Sequence, residues 1–365
     1  MHTNNMKNTN FISILIIFFI ISITSIYSFS SYITSNTYSL IIKQSVFYFI
    51  GVLCILIIKK IHPDALINKS FYLYTANIGL LVLVLLFGTE INGTKAWFTI
   101  PYIGTFQPSE FMKIGLILYL AKIISEHKIK NIKSELVLIF KVFLITIIPS
   151  VFTFLEPDTG AILIYFVIAF TMLFVSKIRL RWFVILFSII FVILGTIFYL
   201  YLFEMGTFIN IFGSSLFYRF DRIFDWQKSS GMQLENSLIA IGSAGPIGKG
   251  INNIKLYFPE GHTDFIFTSV INTFGFIGAI VLIITIIYFD LLIIKTNTKK
   301  KVYKYIIAGF CGALFYQQIQ NISMTIGLLP ITGITLPFIS YGGSSLISYM
   351  ILLGIVLSIR KESRN

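Results

Sequence analysis

Tyr257-Phe258-Pro259-Glu260-Gly261-His262-Thr263-Asp264-Phe265-Ile266-Phe267 runs directly into an apolar segment that ends near residue 294. That segment is long enough to cross a bilayer, which takes roughly 17–25 apolar residues. Glu260, His262 and Asp264 crowd its mouth. Ionisable groups at a membrane boundary are costly to hold, so a cluster of them marks a candidate site.

Working outward, the rest of the chain has the same solvent. It has 365 residues, 56% hydrophobic and only 12% charged, with mean hydropathy +0.87. A soluble chain carries about a quarter charged residues, so lipid surrounds most of this one. Hydropathy predicts an all-α polytopic bundle of about ten transmembrane helices, at approximately 11–33, 45–61, 71–89, 108–125, 135–154, 160–177, 182–204, 264–294, 303–327 and 338–359. The first run follows Lys7 in the manner of a signal sequence. It is too long for a cleavable core and no small-x-small site follows, so an uncleaved first span is expected. Cys54 and Cys311 both lie in apolar runs, and no disulfide is expected.

The net charge of +13 is explained by topology rather than by a nucleic-acid partner. With the N-terminus in the cytoplasm, the inner loops hold Lys59, Lys60, Lys122, Lys128, Lys130, Lys177, Arg179, Arg181, Lys295, Lys299, Lys300, Lys301, Lys304 and Arg360, among others. The outer loops hold fewer, including Lys43, Lys95, Arg219, Arg222 and Lys249. This is the bias that orients membrane proteins. An even number of spans puts both ends in the cytoplasm. Residues 1–365 form one domain, with a large extracellular loop, 205–263, between spans seven and eight. A loop of that length is functional or disordered, and its aromatic and apolar content argues against disorder. Its glycine-rich piece, Gly242 to Gly250, lacks the Walker pattern and a preceding strand, which excludes a nucleotide cradle.

Four further stretches carry chemistry. Gln107-Pro108-Ser109-Glu110 opens a span, with Pro108 suited to a first helical turn. Glu110 and Lys113, three apart, share a helix face and can pair; they form either a self-neutralised ion pair or one wall of a polar cavity. Glu156-Pro157-Asp158-Thr159-Gly160 is a tight turn in which Asp158 either caps the next helix or orients a base or cation. Arg219 and Arg222 lie one helical turn apart, an arrangement suited to phosphate oxygens or to anionic lipid headgroups. From Asn321 to Ser345, prolines, glycines and hydroxyl residues break an apolar context. Such backbone persists at membrane depth only when buried in protein or lining a wet cavity. Asp264, at the start of a span, is either a helix cap or a partly desolvated carboxylate able to take a proton from a hydroxyl, with His262 and Glu260 as candidate partners.

These motifs together resemble the SEDS proteins (shape, elongation, division and sporulation), the RodA/FtsW/SpoVE group. The carriers are N-G-x-K-x-W around Lys95 and Trp97, Q-P-S-E-x-x-K ending at Lys113, P-D-x-G at Asp158 and Y-R-x-x-R at Arg219 and Arg222. A-I-G-S-x-G from Ala240, P-E-x-H-T-D-F-I-F at Asp264 and G-x-x-L-P-x-T-G-x-x-L-P-F-x-S-Y-G-G-S-S ending at Ser345 complete the series. The resemblance spans nearly the whole chain. It implies a ten-helix membrane fold and peptidoglycan glycosyltransferase activity: lipid II is polymerised on the outer face of the bacterial cytoplasmic membrane, with inversion and loss of undecaprenyl diphosphate. It implies that Asp264 is the general base. The substrate contacts expected with it are Lys95, Trp97, Glu110, Lys113, Asp158, Arg219, Arg222, Glu260, His262, Ser340, Ser344 and Ser345. A class B penicillin-binding protein is the implied partner, beside membrane lipids. A divalent cation, Mg or Mn, enters by analogy, although no metal-ligand spacing is visible. The chain departs from the family pattern at Asn272 and Thr273, where two acids are usual, at Ala244 and at Glu156.

Two other functions compete: a flippase for a lipid-linked precursor, and a non-catalytic scaffold for the penicillin-binding protein. An intact Asp264 favours the enzyme over the scaffold. A transporter should carry functional charges through the full bilayer depth, whereas here they concentrate in the outer half, with Asp290 a boundary residue.

Overall fold

The computed structural model describes residues 2–33, 37–91, 93–101, 104–214, 217, 231–251, 253 and 257–363. Among them the helices are α1 (His2–Ile33), α2 (Thr37–Ile58), α3 (Pro63–Asn68), α4 (Ser70–Phe87), α5 (Pro108–Glu126), α6 (Ile132–Leu155) and α7 (Thr159–Val175). They continue with α8 (Leu180–Phe203), α9 (Met205–Phe212), α10 (Gly231–Gly242), α11 (Ile266–Ile294), α12 (Lys301–Thr325) and α13 (Gly343–Glu362). A helix therefore stands at each of the ten predicted spans. Seven of them are long and apolar enough to cross a membrane unaided, and α7 is a shorter apolar helix. The protein is an α-helical, multi-pass membrane protein.

Local chemistry sets the helix ends. Pro108 opens α5 at a position where its missing N–H costs nothing. The Asp158 carboxylate accepts from the Ala161 N–H and caps α7. Asn131 and Ser134 form a reciprocal capping box at the start of α6. Helix α13 is central: 72% of its span is buried, where α8 buries only 6% and presents its sides to lipid. Helices α2, α5 and α12 pack around α13, and α7 packs on α12.

Three features differ from the sequence expectation. The second span starts at Thr37 rather than 45. The last begins at Gly343 rather than 338, because the chain from Ile326 to Gly342 is non-helical, with Gly327, Gly333 and Phe338 at positive φ. The connection between α4 and α5 forms a small antiparallel sheet, β1 (Thr89–Ile91), β2 (Thr94–Ile100) and β3 (Gly104–Phe106), in that spatial order. Strand register pairs Thr89 with Trp97 and Phe98 with Phe106.

Helix α11 is broken at Gly275 (φ 70°, ψ −172°). The Gly245–Gly250 stretch fills the break. Phe276 and Ile277 N–H groups donate to the Gly245 and Pro246 carbonyls, and Lys249 and Gly250 N–H groups donate to Asn272 and Thr273. A Cβ on Gly275 would lie 2.3 Å from Pro246 O and Gly248 N. The glycines allow this close backbone approach. Asn272 and Thr273, where the chain departs from the family pattern, are buried in this break and do not line the Asp264 cavity.

The predicted basic loops meet at one end of the bundle. There Lys300 pairs with Asp64 (2.6 Å), Arg179 with Glu135 (3.3 Å) and His62 with Glu362 (3.0 Å). Asp264 lies at the opposite end. Asp264 stands just before the first residue of α11, Ile266, and Lys295 just after its last, Ile294.

Candidate active site

A cavity of about 270 Å³ opens at the Asp264 end. The N-terminal turns of α5, α7 and α13 converge on it, with the residues leading into α11 and the Gln317 turn of α12. Its polar lining includes Gln107, Glu110, Asp158, Glu260, Thr263, Asp264, Gln317, Ser344 and Ser345, with Trp97 and Tyr341 as aromatic walls.

Asp264 is held by its backbone. The Asn321 amide donates to the Asp264 carbonyl and to the Ile334 carbonyl, each at 2.7 Å. This ties the mouth of α11 to the broken segment. The Asp264 side chain accepts no hydrogen bond and forms no ion pair among the described residues. Burial pushes its carboxyl up to about 7, and the Glu260 and Asp158 charges push the same way. A carboxylate in that state is poised to exchange a proton near neutral pH.

The turn before it is built from three sides. Gln233 and Asn236 of α10 donate to the Pro259 and Tyr257 carbonyls. The Thr263 hydroxyl donates to Glu260 Oε2 at 2.7 Å. The Ser340 hydroxyl donates to the Thr263 carbonyl at 2.6 Å while accepting from the Leu336 N–H. Ser340 is thus a buried structural tie outside the cavity lining. His262 also lies outside the lining. Its ring is 6.1 Å from Phe29 and 5.6 Å from Tyr341, centroid to centroid, its carbonyl accepts from the Tyr341 N–H, and burial lowers its pKa.

Opposite Asp264, Asp158 accepts from Gln107 Nε2 (2.9 Å) and the Ser109 hydroxyl (3.1 Å) besides the Ala161 N–H. Burial raises its pKa despite these donors. Behind it Glu156 is fully buried with neither oxygen partnered, and burial, then Asp158, raises its carboxyl to about 9. A glutamic acid there is neutral at pH 7. Lys113 reaches Glu110 at 2.6 Å and lies 4.4 Å over the Tyr349 ring. Both sequence readings of this pair hold together: it is self-neutralised, and Glu110 forms part of the wall. Ser344 accepts from the Gln107 N–H at 2.9 Å, and Ser345 lies 3.2 Å from the Thr335 hydroxyl.

Lys95, expected in the cavity, instead reaches from β2 to donate to the Leu86 carbonyl near the end of α4 (3.1 Å) and does not line the cavity. A register shift between the Thr89–Trp97 and Ile91–Thr94 pairs interrupts the alternation that would otherwise put Lys95 and Trp97 on one face, and only Trp97 lines the cavity. Arg219 and Arg222 lie outside the described residues. Gln317 and Asn321 were missed by the sequence reading as site residues; the signal was the run of amides Gln317, Gln318, Gln320 and Asn321 inside an apolar helix. For the expected divalent ion, no three His, Cys, Asp or Glu side chains among the described residues come close enough to form a protein cage.

Residues 8–365 match the profile of a family described as cell cycle protein, FtsW/RodA/SpoVE. A probable peptidoglycan glycosyltransferase FtsW of Haemophilus influenzae is 33% identical over 300 residues, covering 80% of this chain and 73% of that protein. Its counterpart in Lactococcus lactis is 32% identical, covering 90% and 85%. Among solved structures, a chain from a peptidoglycan synthase complex that coordinates polymerization and crosslinking superposes with TM-score 0.80 at 25% identity, covering 96% of this chain and 97% of that one. The rod shape determining protein RodA of Thermus thermophilus gives 0.68 at 26% identity, with the same coverage. Seven ordered motifs, the bundle and these matches agree: the chain belongs to the FtsW/RodA/SpoVE family.

Proposed function

We propose that the chain is an inverting peptidoglycan glycosyltransferase that polymerises lipid II, with Asp264 as general base. The observation that carries this is the unpartnered Asp264 carboxylate, fixed at a helix mouth in a polar cavity. The acceptor's GlcNAc 4-hydroxyl gives its proton to Asp264. The oxygen forms a bond to the MurNAc anomeric carbon from the face opposite the leaving group. The bond from that carbon to the phosphate oxygen breaks, and undecaprenyl diphosphate departs with the electron pair. The N-termini of α5, α7 and α13 point positive dipole ends at the cavity and favour that developing charge. Arg219 and Arg222 are the proposed side-chain cations for the diphosphate.

The basic loops at the opposite end support an orientation with both termini cytoplasmic, ten spans and the cavity facing outward. The family relatives that function as synthases support a class B penicillin-binding protein as partner. The flippase reading is disfavoured by Asp290, which is held by Gln318 (3.2 Å) and lines a separate cavity between α11 and α12. The test is polymerisation of labelled lipid II by the purified chain, alone and with class B penicillin-binding proteins, beside Asp264→Asn. Glycan ladders from the wild type and none from the variant are expected. Ladders from both would refute the assignment of the base.

A further inference from the structure

A cavity of about 800 Å³, larger than the Asp264 site, lies at the basic end of the bundle between α7, α12 and the α11–α12 connection. Its walls are apolar: Phe170 and Phe174 from α7, Ile307 and Phe315 from α12. Both helices stand at predicted spans, 160–177 and 303–327, where an apolar wall faces hydrocarbon rather than water. Its rim is of a different character, formed by Lys295, Lys304 and the 296–298 connection.

Three observations on that rim point to a missing anion. Lys295 and Lys304 are exposed and make no ion pair or side-chain hydrogen bond among the described residues, whereas neighbouring Lys300 is engaged by Asp64 (2.6 Å) and Tyr303 (3.1 Å). The Thr298 hydroxyl has no hydrogen-bond partner among the described residues, although the residue is only 6% exposed. Lastly, Lys299, Lys300, Lys301 and Lys304 crowd the N-terminus of α12, which has no side-chain cap. That is the positive end of the helix dipole, where cations are unfavourable and anions are stabilised. Among the described residues only Lys300 is relieved by a carboxylate. Glu135, the acid on the neighbouring α6, is taken by Arg179 (3.3 Å) and Trp182 (2.6 Å). Asp290 is held by Gln318 and does not line this cavity.

We propose that this cavity binds an anionic phospholipid of the adjacent leaflet. An acyl chain lies between α7 and α12, and the phosphate sits between the Lys295 and Lys304 ammonium groups within reach of the Thr298 hydroxyl. The apolar walls select a lipid over a soluble phosphate, and the rim selects an anionic headgroup over a zwitterionic one. Basic pockets between transmembrane helices bind such headgroups for the same reason. The site is at the opposite end of α11 from Asp264 and does not depend on the proposed glycosyltransferase chemistry.

The test is native mass spectrometry of the full chain, delipidated and re-equilibrated with phosphatidylglycerol or phosphatidylcholine. Two lysines at about 1 kcal/mol each predict roughly a 30-fold preference for phosphatidylglycerol. Lys295→Ala with Lys304→Ala should abolish the preference. Ala308→Phe, which fills the cavity without changing charge, should abolish lipid retention while both lysines remain. Millimolar inorganic phosphate should not displace the lipid. Equal retention of the two lipids by the wild type overturns the proposal. So does an unchanged preference in the double variant, unchanged retention in Ala308→Phe, displacement by inorganic phosphate, or a wild-type spectrum with no lipid adduct, with or without a bound polypeptide. Thermal unfolding of each variant separates loss of the site from loss of the fold.

Discussion

Asp264 titrates where an ordinary aspartate does not, and that makes its role measurable. Its carboxyl is raised to about 7 by burial first, then by Glu260 and Asp158. A general base acts only when ionised, so activity must fall as pH drops through that value. One unit below, roughly a tenth of the molecules carry the carboxylate; one unit above, roughly nine tenths do. The maximal rate of glycan synthesis should therefore rise about tenfold between pH 6 and pH 8. A carboxyl at the usual value of ~3.9 would give a flat profile there. Glu260→Gln tests the cause. It removes the larger of the two charges that raise Asp264 while keeping an acceptor for the Thr263 hydroxyl, which now reaches Glu260 Oε2 at 2.7 Å. The acid limb should move to lower pH and the plateau should stay. Asp264→Asn should lower the plateau by roughly 10²–10⁴-fold, the usual contribution of a positioned base. A flat wild-type profile, or a limb that does not move in Glu260→Gln, refutes the electrostatic account even if Asp264→Asn is inactive.

Asn321→Ala leaves the carbonyls of Asp264 and Ile334 without their donor. It should cost about 1–3 kcal/mol per unsatisfied group and lower kcat more than KM, read by steady-state kinetics with thermal unfolding. Gly275→Ala places a methyl 2.3 Å from Pro246 and Gly248 backbone atoms at φ 70°. Its Tm should fall sharply, while Gly242→Ala, whose Cβ would meet open space, should leave Tm nearly unchanged. Lys113→Ala leaves Glu110 in the wall without its cation and should cost about 3–5 kcal/mol. The double change Glu110→Gln with Lys113→Met should recover most of that stability in the same unfolding assay.

The spans were legible because a bilayer imposes one requirement, an uninterrupted apolar length, that composition satisfies or fails locally. The helix at Pro108 and the cap at Asp158 were legible for the same reason: each is decided within one turn. Lys95 and Trp97 were not separable by sequence: two apart, they would share a face of a regular strand, and only the register shift between the Thr89–Trp97 and Ile91–Thr94 pairs interrupts that alternation. Ser340 reads as a site serine beside Ser344 and Ser345. What removes it is a long-range tie to the Thr263 carbonyl, invisible in a local window. The glycine stretch packs against the break at Gly275, which lies some 30 residues away in what hydropathy reads as one continuous span. Gln317 and Asn321 were missed because overall apolarity outweighed the four amides in that helix.

The charge of the cavity carries one more step. Glu110 is cancelled by Lys113, which leaves Asp158, Glu260 and Asp264 as the acids of the lining, and no lysine or arginine among the described residues lines it. A departing diphosphate would meet like charge. The three helix N-termini offset part of it, each equivalent to roughly half a positive charge that fades within one turn, and Asp158 already occupies the one at α7. The proposed chemistry therefore requires positive charge that enters the cavity from beyond its described walls, and Arg219 and Arg222 of the large loop are the arginines spaced to supply it. Replacing both by glutamine should lower kcat for lipid II while leaving the acid limb set by Asp264 in place, because the arginines act on the leaving group and not on the base. A variant with unchanged kcat would show that the diphosphate is neutralised by something other than this pair; a variant whose limb moves would show that the arginines act on Asp264 itself.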